Sequence, residues 1–253
     1  MSSAWQVASR ASQGGRPYQE DDCAVSTLGD GQVLAVLADG MGGHAGGAVA
    51  SDVALRSFVE AYRASKEDDT GERLKAALTA ANEAVAARSG ADAALTGMGC
   101  TLVGLIAAPD RLDWISVGDS PLWLYCGGVL RQLNEDHSMT PLLQARVGRG
   151  EMTAAAAAVH PSRNALRSAV VGEDIPLVDL AFMAYRPQPD DVILLASDGL
   201  CSLDDEAIAE IVKRHGGRGA ERLADELIAA IDALGRPDQD NTTVVVLRPA
   251  DRR

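Results

Sequence analysis

Short runs of consecutive apolar residues recur along the chain and predict buried strands. They cover residues 33–38, 112–117, 192–196 and 243–247, and a strand covered on both faces reads as such a continuous run. Two further runs, 122–125 and 129–133, flank Gly127-Gly128, and paired glycines suit the tight turn of an antiparallel hairpin.

A different spacing, with apolar residues three and four positions apart, predicts amphipathic helices. In residues 218–234 it places Leu223, Leu227 and Ile231 on one face, and residues 46–64 and 72–88 repeat the rhythm. The acidic group 204–206 suits the first turn of another helix. Two helices, 46–64 and 72–88, thus follow one another without a strand between them.

The segment 138–174 has the weakest strand pattern and contains the alanine run 154–158. We interpret it as a helical flap that departs from the main fold. The polar loops 65–71 and 89–99 are too short to be domain linkers, so residues 1–253 are predicted to form one domain.

Composition and charge narrow the class of protein. With 47% hydrophobic and 23% charged residues, a disordered, collagen-like or membrane-embedded chain is excluded. The net charge of −13 argues against nucleic acid as a partner, because phosphate backbones would be repelled.

The cysteines and the N-terminus bear on location. Four widely spaced cysteines without a C-x-x-C pair favour free thiols in a reducing compartment, and no leader or membrane-spanning stretch is seen. A cytoplasmic protein without membrane contact is therefore expected.

The predicted strands share a chemical feature, an aspartate at one end. Asp39, Asp119 and Asp198 follow strands, and Asp240 precedes one. If these ends converge, four carboxylates need protons or cations, because each raises the pKa of the others. Two divalent ions would balance them, and ligands that are all oxygens favour Mg²⁺ or Mn²⁺ over zinc.

Glycines next to the aspartates would allow close backbone approach, so that the carbonyl of Gly40 could add a ligand. Asp-Gly is also an ordinary turn dipeptide. Recurrence at several strand ends favours the functional interpretation.

These residues fall within seven short motifs that occur in a familiar order. Together they resemble the metal-dependent protein serine/threonine phosphatases of type 2C, the PPM family, in bacterial form. The motifs are Arg16-Pro17-Tyr18-Gln19-Glu20-Asp21, Asp39-Gly40-Met41-Gly42-Gly43-His44, Gly99-Cys100-Thr101-Leu102, Gly118-Asp119-Ser120, Asp136-His137-Ser138, Ser197-Asp198-Gly199 and Asp240-Asn241-Thr242.

The resemblance implies an α+β fold, a four-layer α-β-β-α sandwich of two antiparallel sheets flanked by helices, with a dinuclear metal site at one end. It implies hydrolysis of phosphoserine and phosphothreonine by a metal-activated water, in opposition to a bacterial Ser/Thr kinase in signal transduction. The implied partners are phosphorylated proteins, including such a kinase or its targets, and a monomer is expected.

The resemblance also assigns roles to individual residues. Asp39, Gly40, Asp198 and Asp240 would be ligands of two Mn²⁺ or Mg²⁺ ions. Glu20 and Asp21 would hold metal-bound waters, Asp119 with Asp198 would hold a third, weaker ion, and Arg16 would bind phosphate. With Arg16, the aspartates 39, 198 and 240 would form the catalytic set.

Several positions depart from the family pattern. Met41 stands where some relatives have a histidine proposed as the general acid, which leaves the proton donor unassigned. His44 fits a structural histidine in the glycine-rich turn. Gln19, Cys100 and Pro121 also differ from the usual residues, with Pro121 suited to a strand start.

Two other functions compete with the phosphatase. A catalytically silent relative that binds phosphoproteins would keep the same fold. A dinucleotide-binding module would explain Gly40-x-Gly42-x-x-Ala45, but a second helix stands where a Rossmann unit needs a strand. Neither a P-loop nor a G-x-S-x-G motif is present.

Overall fold

The computed structural model describes residues 4–42 and 46–250 as two stacked antiparallel sheets with helices on both outer faces. The strands are β1 (Trp5–Ser12), β2 (Asp21–Thr27), β3 (Val33–Met41), β4 (Gly99–Cys100), β5 (Leu102–Ala107), β6 (Arg111–Val117), β7 (Leu122–Cys126), β8 (Val129–Gln132), β9 (Asp179–Ala184), β10 (Val192–Ala196) and β11 (Thr242–Pro249). The α-helices are α1 (Gly46–Ala64), α2 (Thr70–Ala91), α3 (Thr140–Gly148), α4 (Ala154–Ala158), α5 (Asp205–His215) and α6 (Ala220–Asp232).

Each sheet pairs strands that are distant in sequence. The first has the order β1-β11-β10-β7-β8, and the second has β2-β3-β5-β6-β9, with β4 paired to β3. The predicted hairpin is confirmed, since β7 and β8 pair from Trp123–Gln132 to Cys126–Val129. The predicted fold, two antiparallel sheets flanked by helices, is also confirmed.

Hydrophobic burial between layers holds the sandwich together. The inner faces pack Leu37, Leu105, Leu195 and Val245 against one another. The helices α1 and α2 cover the second sheet, and α5 and α6 cover the first. Burying each such side chain stabilises the fold by roughly 1.5–3 kcal/mol before entropy is subtracted.

Helix starts follow the sequence signals. Asp204 accepts a hydrogen bond from Ala207 N and caps α5, and Asp69 does the same for α2 through Glu72 N. Both are standard N-cap contacts that satisfy an otherwise free amide.

The segment 138–174, which we call the flap, contains α3, α4 and turns, with no strand longer than an isolated bridge. It is tied down by bridges between Ser138 and Leu166 and between Cys100 and Val170. Pro121 directly precedes β7, the strand start that suits proline. Within the described residues, no helix is long and apolar enough to cross a membrane.

Candidate active site

A polar cleft of about 670 Å³ opens at one end of the sandwich. It is lined by seven of the eight predicted site residues: Arg16, Glu20, Asp39, Gly40, Asp119, Asp198 and Asp240. Flap residues 164–169 form part of its wall. Loops and strand ends far apart in sequence are thus brought together.

Asp21, the eighth residue, does not line the cleft. It pairs with Asp39 in the β2–β3 register and is 9% exposed. Its Oδ2 accepts a hydrogen bond of 2.7 Å from Ser197 Oγ, and Ser197 Oγ accepts one of 2.9 Å from Thr243 N. The Oδ1 of Asp21 is buried without a hydrogen-bond partner in the described part of the chain.

Asp39 lies inside β3, which is longer than the predicted run and continues to Met41. Its amide donates to Thr101 Oγ1 at 3.1 Å, and Thr101 N donates to its carbonyl at 2.9 Å. The Thr101 and Ser120 hydroxyls lie 2.7 Å apart, so the strand that carries Asp39 is linked to the turn that carries Asp119.

The backbone at Gly40 is crowded from two sides. Its amide donates to Glu20 O at 3.1 Å, and a Cβ there would overlap Gly47 O and Glu20 O. Only glycine fits, which explains the Asp-Gly sequence at this point. Glycine is required at position 40 because a side chain would clash, and not because the backbone has a positive φ.

The buried side-chain amide of Asn241 holds the loop that carries Arg16. Asn241 accepts from Glu20 N at 2.8 Å and donates to Gln13 O at 2.8 Å and Tyr18 O at 2.9 Å. Arg16 Nη2 in turn lies 2.6 Å from Asp240 Oδ2. The predicted phosphate-binding guanidinium therefore contacts a predicted metal ligand.

The carboxylates of this site resist ionisation. Burial, and then repulsion by neighbouring aspartates, raises the pKa of Asp21 to about 6 and the pKa of Asp119 to about 7. The pKa of Asp198 rises to about 6 for the same two reasons, and that of Asp39 rises well above its usual range. Protons or cations must neutralise this cluster.

The donor set fits hard divalent cations, since carboxylates and a carbonyl are the ligands that Mg²⁺ and Mn²⁺ prefer. The unsatisfied Oδ1 of Asp21 is consistent with this. Within 4–42 and 46–250, however, no three carboxylate, His or Cys side chains already stand at metal-binding positions. Asp240, one of the predicted ligands, is instead paired with Arg16.

Several supporting residues were not assigned roles from the sequence. Ser197 donates a hydrogen bond to the Asp21 carboxylate, and Thr101 accepts one from the Asp39 backbone. Ser120 contacts the Thr101 hydroxyl, and Asn241 accepts from Glu20 N. Each lies within a recognised motif, and a hydroxyl or amide beside an aspartate was the available signal. Among the positions that differ from the family pattern, Met41 lines the cleft, and His44 lies outside the described residues.

The sandwich and its acidic cleft define the class that the motifs predict, the PPM-type serine/threonine phosphatases. Comparison with known proteins agrees, because the family model for protein phosphatase 2C matches residues 9–230. This chain belongs to the protein phosphatase 2C family.

Relatives and solved structures give the same result. The chain is 34% identical to the serine/threonine phosphatase stp of Listeria monocytogenes over 237 residues, 92% of this chain and 90% of the relative. The Mycobacterium tuberculosis phosphatase PstP/Ppp superposes with a TM-score of 0.81 at 32% identity, covering 97% of this chain and 98% of that chain. A PstP catalytic domain in complex with two manganese ions has a TM-score of 0.76 at 31% identity, covering 98% and 99%.

The predicted family, fold and enzyme class, a bacterial serine/threonine phosphatase, are therefore confirmed.

Proposed function

We propose that this chain hydrolyses phosphoserine and phosphothreonine in proteins through a dinuclear metal centre held by Asp39, the Gly40 carbonyl, Asp198 and Asp240. One observation carries the proposal: partly buried carboxylates from separate elements, among them Asp39 and Asp198 with raised pKa values, face one cleft together with an arginine. When bound, the metal pair supplies an acidified water as nucleophile and neutralises phosphoryl oxygens.

The chain's own residues then have distinct tasks. Arg16 binds phosphate oxygens through its planar fork. Glu20 and Asp21 would hold waters beside the ions, and Asp119 with Asp198 would provide a third, weaker cation position. The water that the ions acidify would serve as the nucleophile toward phosphorus, so no residue of the chain would need to form a phosphoenzyme. The proton donor to the leaving alkoxide stays unassigned, because Met41 replaces the histidine.

The cellular proposal extends this chemistry. We infer that residues 1–253 act as one monomeric domain in the cytoplasm, with Mn²⁺ or Mg²⁺ as cofactor, on proteins phosphorylated by a Ser/Thr kinase and on the kinase itself. Similarity to named bacterial serine/threonine phosphatases supports the substrate class. Deleting the gene should raise protein phosphorylation, and an unchanged phosphoproteome would refute the cellular role.

Phosphate release from a phosphothreonine peptide tests the chemistry. Metal-stripped protein should be inactive, added Mn²⁺ should restore turnover, and Asp39→Asn should abolish it by removing a ligand. Asp110→Asn is the matched control, because Asp110 is exposed and does not line the cleft. If folded, metal-loaded protein releases no phosphate but retains the phosphopeptide, the silent phosphoprotein-binding alternative is correct.

A further inference from the structure

A second cavity, of about 610 Å³, lies beside the active-site cleft. We name it the α2 groove and define it by Lys75, Leu78, Thr79, Asn82, Glu83, Ile115, Glu173, Asp174, Ile175, Val178 and Leu180. Asp174 lines both the cleft and the α2 groove. A polypeptide that leaves the cleft over Asp174 therefore enters the groove directly.

The wall between the two cavities is fixed from α2. Asn82 Nδ2 donates to Glu173 O at 2.7 Å, and Asn82 Oδ1 accepts from Gly172 N at 2.8 Å. Both amide functions of one side chain thus hold the segment that precedes Asp174. The groove is consequently formed without a ligand, which lowers the entropy cost of binding.

The floor of the α2 groove is apolar. Leu78 and Ile115 belong to the core beneath it, and Ile175 and Leu180 pack against that core. Val178 remains 42% exposed at the edge. Such a surface gains free energy by covering an apolar side chain.

The rim is acidic. Glu83, Glu173 and Asp174 contribute three carboxylates, whereas the one lysine there, Lys75, is paired with Glu72 at 2.9 Å. A basic residue of a partner would meet complementary charge, and an acidic one would be repelled.

We propose that the α2 groove binds the segment of a phosphoprotein substrate that flanks the phosphorylated residue, and that it selects an apolar side chain adjoining a basic one. This inference rests on the proposed phosphatase function. The shared wall at Asp174 argues for the substrate itself as the occupant, and the apolar floor and acidic rim define its chemistry.

Matched phosphothreonine peptides test the preference. One series carries Leu-Arg at successive positions on either side of the phosphothreonine, and the other carries Ala-Gln at the same positions. The best Leu-Arg peptide should show a kcat/KM about tenfold higher, the order expected from burying one leucine. Equal kcat/KM values at every position would overturn the proposal.

A groove-filling variant localises the effect. Thr79 is exposed on the groove face of α2, so Thr79→Trp should reduce the ratio of kcat/KM between Leu-Arg and Ala-Gln peptides toward one. Ala87→Trp is the control, because Ala87 is exposed on α2 outside the groove, and it should keep the wild-type ratio. A preference that survives Thr79→Trp would contradict the groove assignment.

Methyl NMR gives a readout that does not require turnover. Adding the Leu-Arg peptide should shift the Ile175 and Val178 methyl signals, and the Ala-Gln peptide should not. Failure of the phosphatase function would appear as no hydrolysis of either peptide or of p-nitrophenyl phosphate. The methyl shifts would then still test whether the peptide binds in the α2 groove, and their absence would refute that binding.

Discussion

At the scale of single residues, the acidic cluster combines a functional requirement with a cost in stability. Asp21 is buried, Asp119 and Asp198 are partly buried, and their pKa values are raised from 3.8 to between about 6 and about 7. Ionising them without a cation opposes folding.

A pH dependence follows for the metal-stripped protein. Because the folded pKa values exceed the unfolded ones, the folded state binds more protons between roughly pH 4 and pH 7, and this contribution to stability falls as pH rises. For Asp119 it is on the order of a few kcal/mol, or several degrees in melting temperature.

Melting temperatures of wild type and Asp119→Asn, measured across that pH range without metal, should therefore diverge in favour of the variant as pH rises. Mn²⁺ at neutral pH should restore the wild type, since a ligand of the folded state stabilises it. If the melting temperatures of the two proteins changed in parallel with pH, ionisation of Asp119 would not destabilise the folded state.

At the scale of elements, the sequence predicted most strands that are buried on both faces, and it predicted the exposed strand β8 from the glycine turn before it. It missed the buried strand β5 and several edge strands. All residues of β10 are buried, so its continuous apolar run predicts a strand. Strands β1, β2 and β9 lie at sheet edges and mix exposed with buried positions, so their patterns are weak. In β5 the apolar run is interrupted by Gly104. Glycine is needed there because a Cβ would lie 2.6 Å from the Phe58 ring.

Four aspartates of the site, Asp39, Asp119, Asp198 and Asp240, were predictable for a similar reason, because each stands at the end of a strand with a clear apolar run. Their hydrogen-bond supports were not, since the contact of Asp21 with Ser197 spans 176 positions. The pairing of Arg16 with Asp240 depends on loop conformation, which no local pattern encodes.

Asn241 is the connection between elements that offers the clearest test. Asn241→Ala removes three hydrogen bonds to the loop that carries Arg16, each worth about 1 kcal/mol. We expect KM for a phosphopeptide to rise about tenfold with a smaller change in kcat. Asn241→Asp keeps only the acceptor for Glu20 N and should raise KM as well.

A purely structural role for Asn241 would give a different result. Both variants would then lower the melting temperature and leave KM unchanged at a temperature where they are folded. That outcome would separate support of the fold from positioning of Arg16.

At the scale of the whole molecule, the two helices of the flap, α3 and α4, contribute little to the core. In α3 and α4 only Leu143 and Ala157 are buried, whereas the sandwich has three extensive apolar clusters. Thr140 lies at the start of α3, and Arg163 follows α4. Thr140 Oγ1 donates a hydrogen bond of 3.2 Å to Arg163 O. The two ends of the segment 140–163 thus lie close together.

Replacing residues 141–162 with Gly-Gly should therefore leave one cooperative unfolding transition, because the core and the Ser138–Leu166 bridge persist. Turnover of p-nitrophenyl phosphate should stay within a few-fold of wild type, since the predicted ligands lie outside the excised segment. Turnover of a phosphoprotein should fall further, because the surface beside the cleft is lost. Calorimetry and parallel assays with both substrates check this. Loss of the cooperative transition would show instead that the flap is integral to the domain.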